Sequence, residues 1–183
     1  MKLIETDIEG VVIFEPKVFS DARGYFFESF SQREFDEAVG SHVEFVQDNQ
    51  SRSMRGVIRG LHFQCGEFAQ AKLVRCFSGH VRDIVLDIRP GSPTFGKHVV
   101  VELTGENKHA LFIPRGLAHG FAVLSDDAVF QYKCDNYYCP SSEGGISPLD
   151  PALGIEWGVD IREAILSEKD LRLPSFETFK NSL

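Results

Sequence analysis

The run Arg59-Gly60-Leu61-His62-Phe63-Gln64, followed by Gln70-Ala71-Lys72, holds the side chains best suited to chemistry. An imidazole gains and loses its proton near neutral pH, so His62 suits a general base. An ammonium neutralises an oxyanion that forms beside it, which suits Lys72. Together they fit removal of a proton from a carbon next to a carbonyl. Both runs read as strands, with β-branched and aromatic residues broken by Arg, Gly and His. A loop between the two strands would hold the histidine and the lysine close together. A lone histidine in a strand is more often structural. His62 stands out because Arg59, Gln64 and Lys72 accompany it, and a strand core seldom gathers that many polar groups without a site.

Strict alternation puts Arg59 on the face opposite His62. Gly60 lies between them, and a strand glycine often marks a bulge or bend, so a distortion is expected there unless Arg59 reaches round the strand end. Other candidates carry bland readings of their own. His119, in Ala118-His119-Gly120-Phe121, is a buried satisfied histidine or a site residue beside small neighbours that allow close approach. Tyr132 alone reads as strand packing. Asp170 alone reads as an ordinary acid in a polar tail. Arg75, Arg82 and Arg89 read as strand-face residues.

Several cofactor chemistries lack their motifs. His62-Phe63-Gln64 places a glutamine where a metal-binding His-x-His pair would need its second imidazole, and Gln is a poor transition-metal ligand. No catalytic metal is expected. No G-x-G-x-x-G opens a helix after a strand, and no phosphate loop G-x-x-x-x-G-K occurs, so hydride chemistry is not expected. The expected cofactor count is none.

The elements that must position these residues are mostly strands. Ile8 to Phe14 reads as a first strand, Phe19 to Gly24 as a loop and Tyr25 to Phe30 as a short aromatic strand. Ser31-Gln32-Arg33-Glu34 is a capping box, with Phe35, Ala38 and Val39 at helical spacing and a stop near Gly40. Further strands are expected near 43–49, 56–63, 71–77, 80–88, 97–103, 109–113, 120–124 and 127–134. Many short strands at this spacing indicate an all-β sandwich or barrel. The tail after Pro140 is looser, with a single helical turn expected at 167–170. The whole of 1–183 reads as one domain, a strand-rich core over about 8–140 and a tail over 141–183.

A formal charge of -8 argues against nucleic-acid binding, which needs a basic footprint. No apolar run is long enough to span a membrane. Cys65, Cys76, Cys134 and Cys139 form no C-x-x-C pair, and Met1-Lys2-Leu3-Ile4-Glu5 does not begin a signal peptide. Reduced thiols in a cytoplasmic protein are expected.

A family resemblance joins these pieces. Arg59 to Gln64, Gln70 to Lys72, Ser92-Pro93-Thr94-Phe95-Gly96, Ile113-Pro114 with Gly116, Ala118 to Phe121 and Tyr132-Lys133 together resemble the dTDP-4-dehydrorhamnose 3,5-epimerases. The resemblance runs from about Phe19 to Asp170. It implies a cupin-type jelly roll, usually a homodimer. It implies inversion of C3 and C5 of dTDP-4-dehydro-6-deoxy-D-glucose through an enolate. It makes His62 the base, Asp170 its carboxylate partner and Tyr132 the acid, with His119 against the substrate. It has Tyr138 stack near the ligand, Tyr137 being the bland neighbour. It places Arg23, Glu28, Gln47, Asp48, Asn49, Arg59, Glu143 and Lys169 on the nucleotide sugar. A single-carbon epimerase or ketoisomerase on a related dTDP-4-keto sugar, a metal-dependent cupin oxygenase and a non-catalytic sugar-binding module remain alternatives.

Overall fold

The structure is a computed structural model and describes residues 2–183. In chain order its strands are β1 (Lys2–Glu5), β2 (Val12–Glu15), β3 (Phe19–Asp21), β4 (Gly24–Phe26), β5 (Gln47–Met54), β6 (Ile58–Gln64) and β7 (Lys72–Ser78). They continue with β8 (His80–Asp87), β9 (His98–Thr104), β10 (Ala110–Ile113), β11 (Leu117–Val123), β12 (Asp127–Cys134) and β13 (Glu143–Gly145). Among the described residues two α-helices are present, α1 (Gln32–Val39) and α2 (Phe176–Lys180). One sheet runs β1-β2-β10-β7-β12-β5, a second runs β13-β6-β11-β8-β9, and β3-β4 is a separate hairpin. This is the all-β, cupin-like sandwich expected.

Side-chain alternation sorts each strand between two environments. In β7, Val74 and Cys76 point between the sheets, where they meet Val81, Val85, Leu103, Leu111, Phe121 and Phe130. Leu73 of the same strand points outward. There Phe14, Phe35 and Phe112 close over it, and α1 supplies Phe35. The outer face of the second sheet is sealed by the tail: Ile146, Leu153, Trp157 and Phe176 cover Ile58, Leu61, Ile84 and Leu86. The helix α1 forms as its sequence dictates. The Ser31 side chain accepts from the Glu34 amide, and Gly40 ends the helix at φ 77°.

Most expected strands fall within a few residues of their observed bounds. Four readings are corrected. The strand expected over 43–49 is β5 and runs to Met54, pairing with the whole of β12 from Asp127↔Met54 to Cys134↔Gln47. Phe19 to Gly24 is not a plain loop, nor is 25–30 one strand; the segment is the β3-β4 hairpin, with Phe19 opposite Phe26. The first strand expected over Ile8 to Phe14 is confined to β2 at Val12–Glu15, and the unexpected β1 pairs with it through Leu3↔Phe14. The helical turn in the tail falls at Asp170–Arg172, a few residues late, with the Ser167 Oγ accepting from the Asp170 amide just ahead of it.

Candidate active site

The distortion expected at Gly60 is present. His119 of β11 pairs with His62 of β6, but Phe121 pairs with Arg59, so β6 carries one extra residue between the two pairs. That bulge returns Arg59 to the face of His62, while Ile58, Leu61 and Phe63 stay on the tail-covered side. The backbones touch here. A Cβ on Gly60 would lie 2.6 Å from the Gly120 Cα, and one on Gly120 would lie 2.6 Å from the Arg59 carbonyl. Gly60 also adopts φ 112°, which favours glycine.

Both faces of the sandwich open into one cavity of about 530 Å³. The second sheet contributes Arg59, His62 and His119. The first contributes Asn49, Lys72 and Tyr132, and the tail adds Ser167, Lys169 and Asp170. An adjoining pocket of about 220 Å³ shares Asn49, His62, Lys72 and Tyr132 and adds Gln47, Gln64, Tyr138 and Glu143. His62 and Lys72 are therefore not held together by a loop between neighbouring strands. They lie on opposed sheets and approach across the cavity.

The His62 Nε2 lies 2.6 Å from Asp170 Oδ1. An ionised carboxylate only accepts, so Nε2 carries the proton and Nδ1 keeps the lone pair a base needs. Burial works to raise the Asp170 carboxyl, but the hydrogen bond and charge of His62, the Ser167 hydrogen bond and the charge of Lys169 together hold it below the usual value. A second imidazole is tied down more deeply. The His119 Nε2 sits 2.9 and 3.0 Å from the two Asp83 oxygens, and Asp83 is fully buried. Burial pushes the Asp83 carboxyl up, against the pull of His119 and Lys72. Asp83 is the site residue that the sequence reading missed. Its signal was an acid inside Val81-Arg82-Asp83-Ile84-Val85, a position that demands a partner.

Lys72 Nζ stands 5.8 Å from the Tyr132 ring centroid. Burial lowers the Lys72 amine and raises the Tyr132 phenol. At the mouth, Glu143 Oε2 accepts from the Tyr138 hydroxyl at 2.7 Å and pairs with Lys169 at 2.5 Å. Arg59 Nε donates to Ser53 Oγ at 3.0 Å. Gln64 is engaged with protein: its Oε1 accepts from the Cys139 amide. Among the described residues no three His, Cys, Asp or Glu side chains converge into a metal-binding set.

Three residues named from the sequence lie elsewhere. Asp48 is exposed on β5 and pairs with Lys133 at 3.0 Å, because Gln47 and Asn49 take the inward positions of the alternation. Arg23 sits at the tip of the β3-β4 hairpin, paired with Asp21 at 2.6 Å, and Glu28 is exposed just beyond it. Neither reaches the cavity of its own chain. Tyr138, not Tyr137, lines the mouth. Arg82 and Arg89 pair with Glu102 and Asp87 and stay outside the cavity, and Arg75 donates to the Ser29 carbonyl.

The family model for dTDP-4-dehydrorhamnose 3,5-epimerase matches residues 5–178. The dTDP-4-dehydrorhamnose 3,5-epimerase of Shigella flexneri is 55% identical over 176 residues, 96% of each chain. Among solved structures, the dTDP-6-deoxy-D-glucose-3,5-epimerase of Legionella pneumophila Philadelphia 1, in complex with dTDP-4-keto-L-rhamnose, superposes with a TM-score of 0.94. It is 47% identical and covers 99% of this chain and 95% of its own. A 3'-monoepimerase from Streptomyces bikiniensis, in complex with dTDP-quinovose, gives 0.92 at 38% identity, with 97% and 89% covered. The match over nearly the full length, together with the paired histidines facing a tyrosine across one cavity, places this chain in the dTDP-4-dehydrorhamnose 3,5-epimerase family.

Proposed function

We propose that this isomerase inverts C3 and C5 of dTDP-4-dehydro-6-deoxy-D-glucose to give dTDP-4-dehydro-L-rhamnose. The observation that carries the proposal is the placement of a base and an acid on opposed sheets. His62 with Asp170 approaches a bound ring from one side, and Tyr132 approaches from the other. The C4 ketone acidifies the hydrogens on both neighbouring carbons. The His62 Nδ1 removes one, the C–H electron pair moves into the enolate, and Tyr132 delivers a proton to the opposite face. Lys72 lies where its ammonium can hold the enolate oxygen, and His119, its Nε2 held by Asp83, lines the same cavity. Arg59, Lys169, Gln47, Asn49 and Tyr138 hold the nucleotide and diphosphate outside the ring, with Glu143 beside them at the mouth.

The test is incubation with the 4-keto sugar nucleotide in deuterated water, following H3 and H5 by NMR. Loss of both signals with formation of the L-sugar is expected. Loss of H3 alone would favour the second reading, a single-carbon epimerase, which the fold shared with the Streptomyces bikiniensis monoepimerase supports. No exchange at either carbon would refute both.

A homodimer belongs to this reading. The β3-β4 hairpin exposes three neighbouring aromatics, Phe19, Tyr25 and Phe26, at 53%, 60% and 71%, the kind of surface a partner covers. Packed on a second copy, it would carry Arg23 and Glu28 toward that copy's cavity. Four unpaired cysteines support a reducing, cytoplasmic setting.

A further inference from the structure

At the cavity mouth, side chains that a nucleotide sugar would need are engaged with one another. One oxygen, Glu143 Oε2, accepts from both Tyr138 and Lys169. Glu143 opens β13 on the sheet, paired with Gln64, whereas Lys169 belongs to the tail beside Asp170. The ion pair therefore ties two rims of the mouth together. The cavity cations are not equivalent. Lys72 lies deep, and Arg59 binds only the neutral Ser53 hydroxyl. Lys169, its side chain half exposed at 52%, already has its charge met by a carboxylate. A diphosphate carries more charge than a carboxylate and offers several acceptor oxygens, so it competes with Glu143 for that ammonium.

We propose that Glu143 is an ionic clasp, a built-in competitor that a nucleotide diphosphate displaces from Lys169 in order to bind. The proposal rests on the nucleotide-sugar reading above. It also makes Glu143 a specificity device. Once displaced, the carboxylate needs new donors, since a partly buried charge without partners is costly. The hydroxyls of an attached sugar supply them, and a bare nucleotide does not. The clasp thus weakens binding of the nucleotide alone relative to the nucleotide sugar.

Calorimetric titration of dTDP and of unreactive dTDP-glucose tests this at fixed ionic strength. Glu143→Gln removes the charge and keeps the shape. It is expected to bind dTDP roughly two- to fivefold tighter, the span of a partly exposed ion pair. The ratio of dTDP-glucose affinity to dTDP affinity should fall. Lys169→Met should bind dTDP more weakly, and Glu143→Gln added to it should bring no gain; Lys169→Gln replaces it if thermal unfolding shows that Met is not tolerated. Equal or weaker dTDP binding by Glu143→Gln overturns the clasp. A gain that persists without Lys169 also overturns it, because Glu143 would then repel the ligand directly. Failure of the unsubstituted chain to bind dTDP would strike the nucleotide-sugar reading itself, and the clasp with it.

Discussion

Replacing Asp170 with Asn asks whether one buried carboxylate governs the base. Asp170 is 4% exposed and its Oδ1 lies 2.6 Å from His62 Nε2, so solvent offers little in its place. Asn keeps the size but loses the carboxylate that accepts the Nε2 proton and fixes the tautomer. Its NH2 can also donate to Nε2, which forces the ring proton onto Nδ1, the atom that must be free. A positioned base is worth roughly 10²–10⁴ in rate, so kcat should fall by about 10²–10³. KM should change little, because Arg59 and Lys169 are untouched. The assay is exchange of H3 and H5 with deuterated solvent, run beside the inversion rate. Both should fall together, since both start at the same nitrogen. A stability signature accompanies the loss. The folded Asp170 carboxyl is held below its unfolded value, so its stabilising effect is present above about pH 4 and is lost as pH falls through the folded value. Asp170→Asn should flatten that part of the acid unfolding curve. Exchange that stays near the unsubstituted rate would refute the pairing of Asp170 with His62.

Tyr132→Phe should differ from His62→Ala in kind. Without the phenol, His62 still takes a proton and returns it to the same face, so exchange persists in part while inversion falls much further; His62→Ala should lose both, and equal losses in Tyr132→Phe would break the assignment. Burial lowers the Lys72 amine, so the unfolded chain binds more protons between that lowered value and about 10.4. Stability should therefore rise with pH across that window in urea titrations, and Lys72→Met should remove the rise. The same shift sets an alkaline fall in kcat below the ordinary lysine range, because the neutral amine no longer offsets the enolate charge; a kcat that holds to the ordinary range would count against Lys72 as the oxyanion partner. Turnover should survive exhaustive chelation, since Gln64 stands where a ligand imidazole would be needed and its oxygen is occupied by the Cys139 amide; loss of turnover restored by iron, zinc or manganese would refute this.

What was legible in the sequence follows a physical line. Strands that bury a face announce themselves through their apolar residues, as alternation in β12 and as apolar runs in β7, β8 and β10. The strand β5 was half missed because Gln47, Asn49 and Ser51 point into a polar cavity, so the strand that lines the site carries no hydrophobic period. The bulge in β6 was readable because only a glycine tolerates φ 112° against a touching backbone, and Gly60 stands in a strand that has no other use for one. Asp170 could be named only from the family match. Its contact with His62 spans 108 positions, and no local pattern encodes an approach made by a tail folding back over a sheet. Asp83 shows the reverse case. A buried acid in an apolar strand is a local signal, yet its partner His119 lies 36 residues on and becomes visible only when β8 and β11 pair. Arg23 and Glu28, like Asp170, are named only by the family resemblance. Their chain aims them away from its own cavity, on a hairpin whose Phe19, Tyr25 and Phe26 are exposed, so only the homodimer proposed above would bring them to a site.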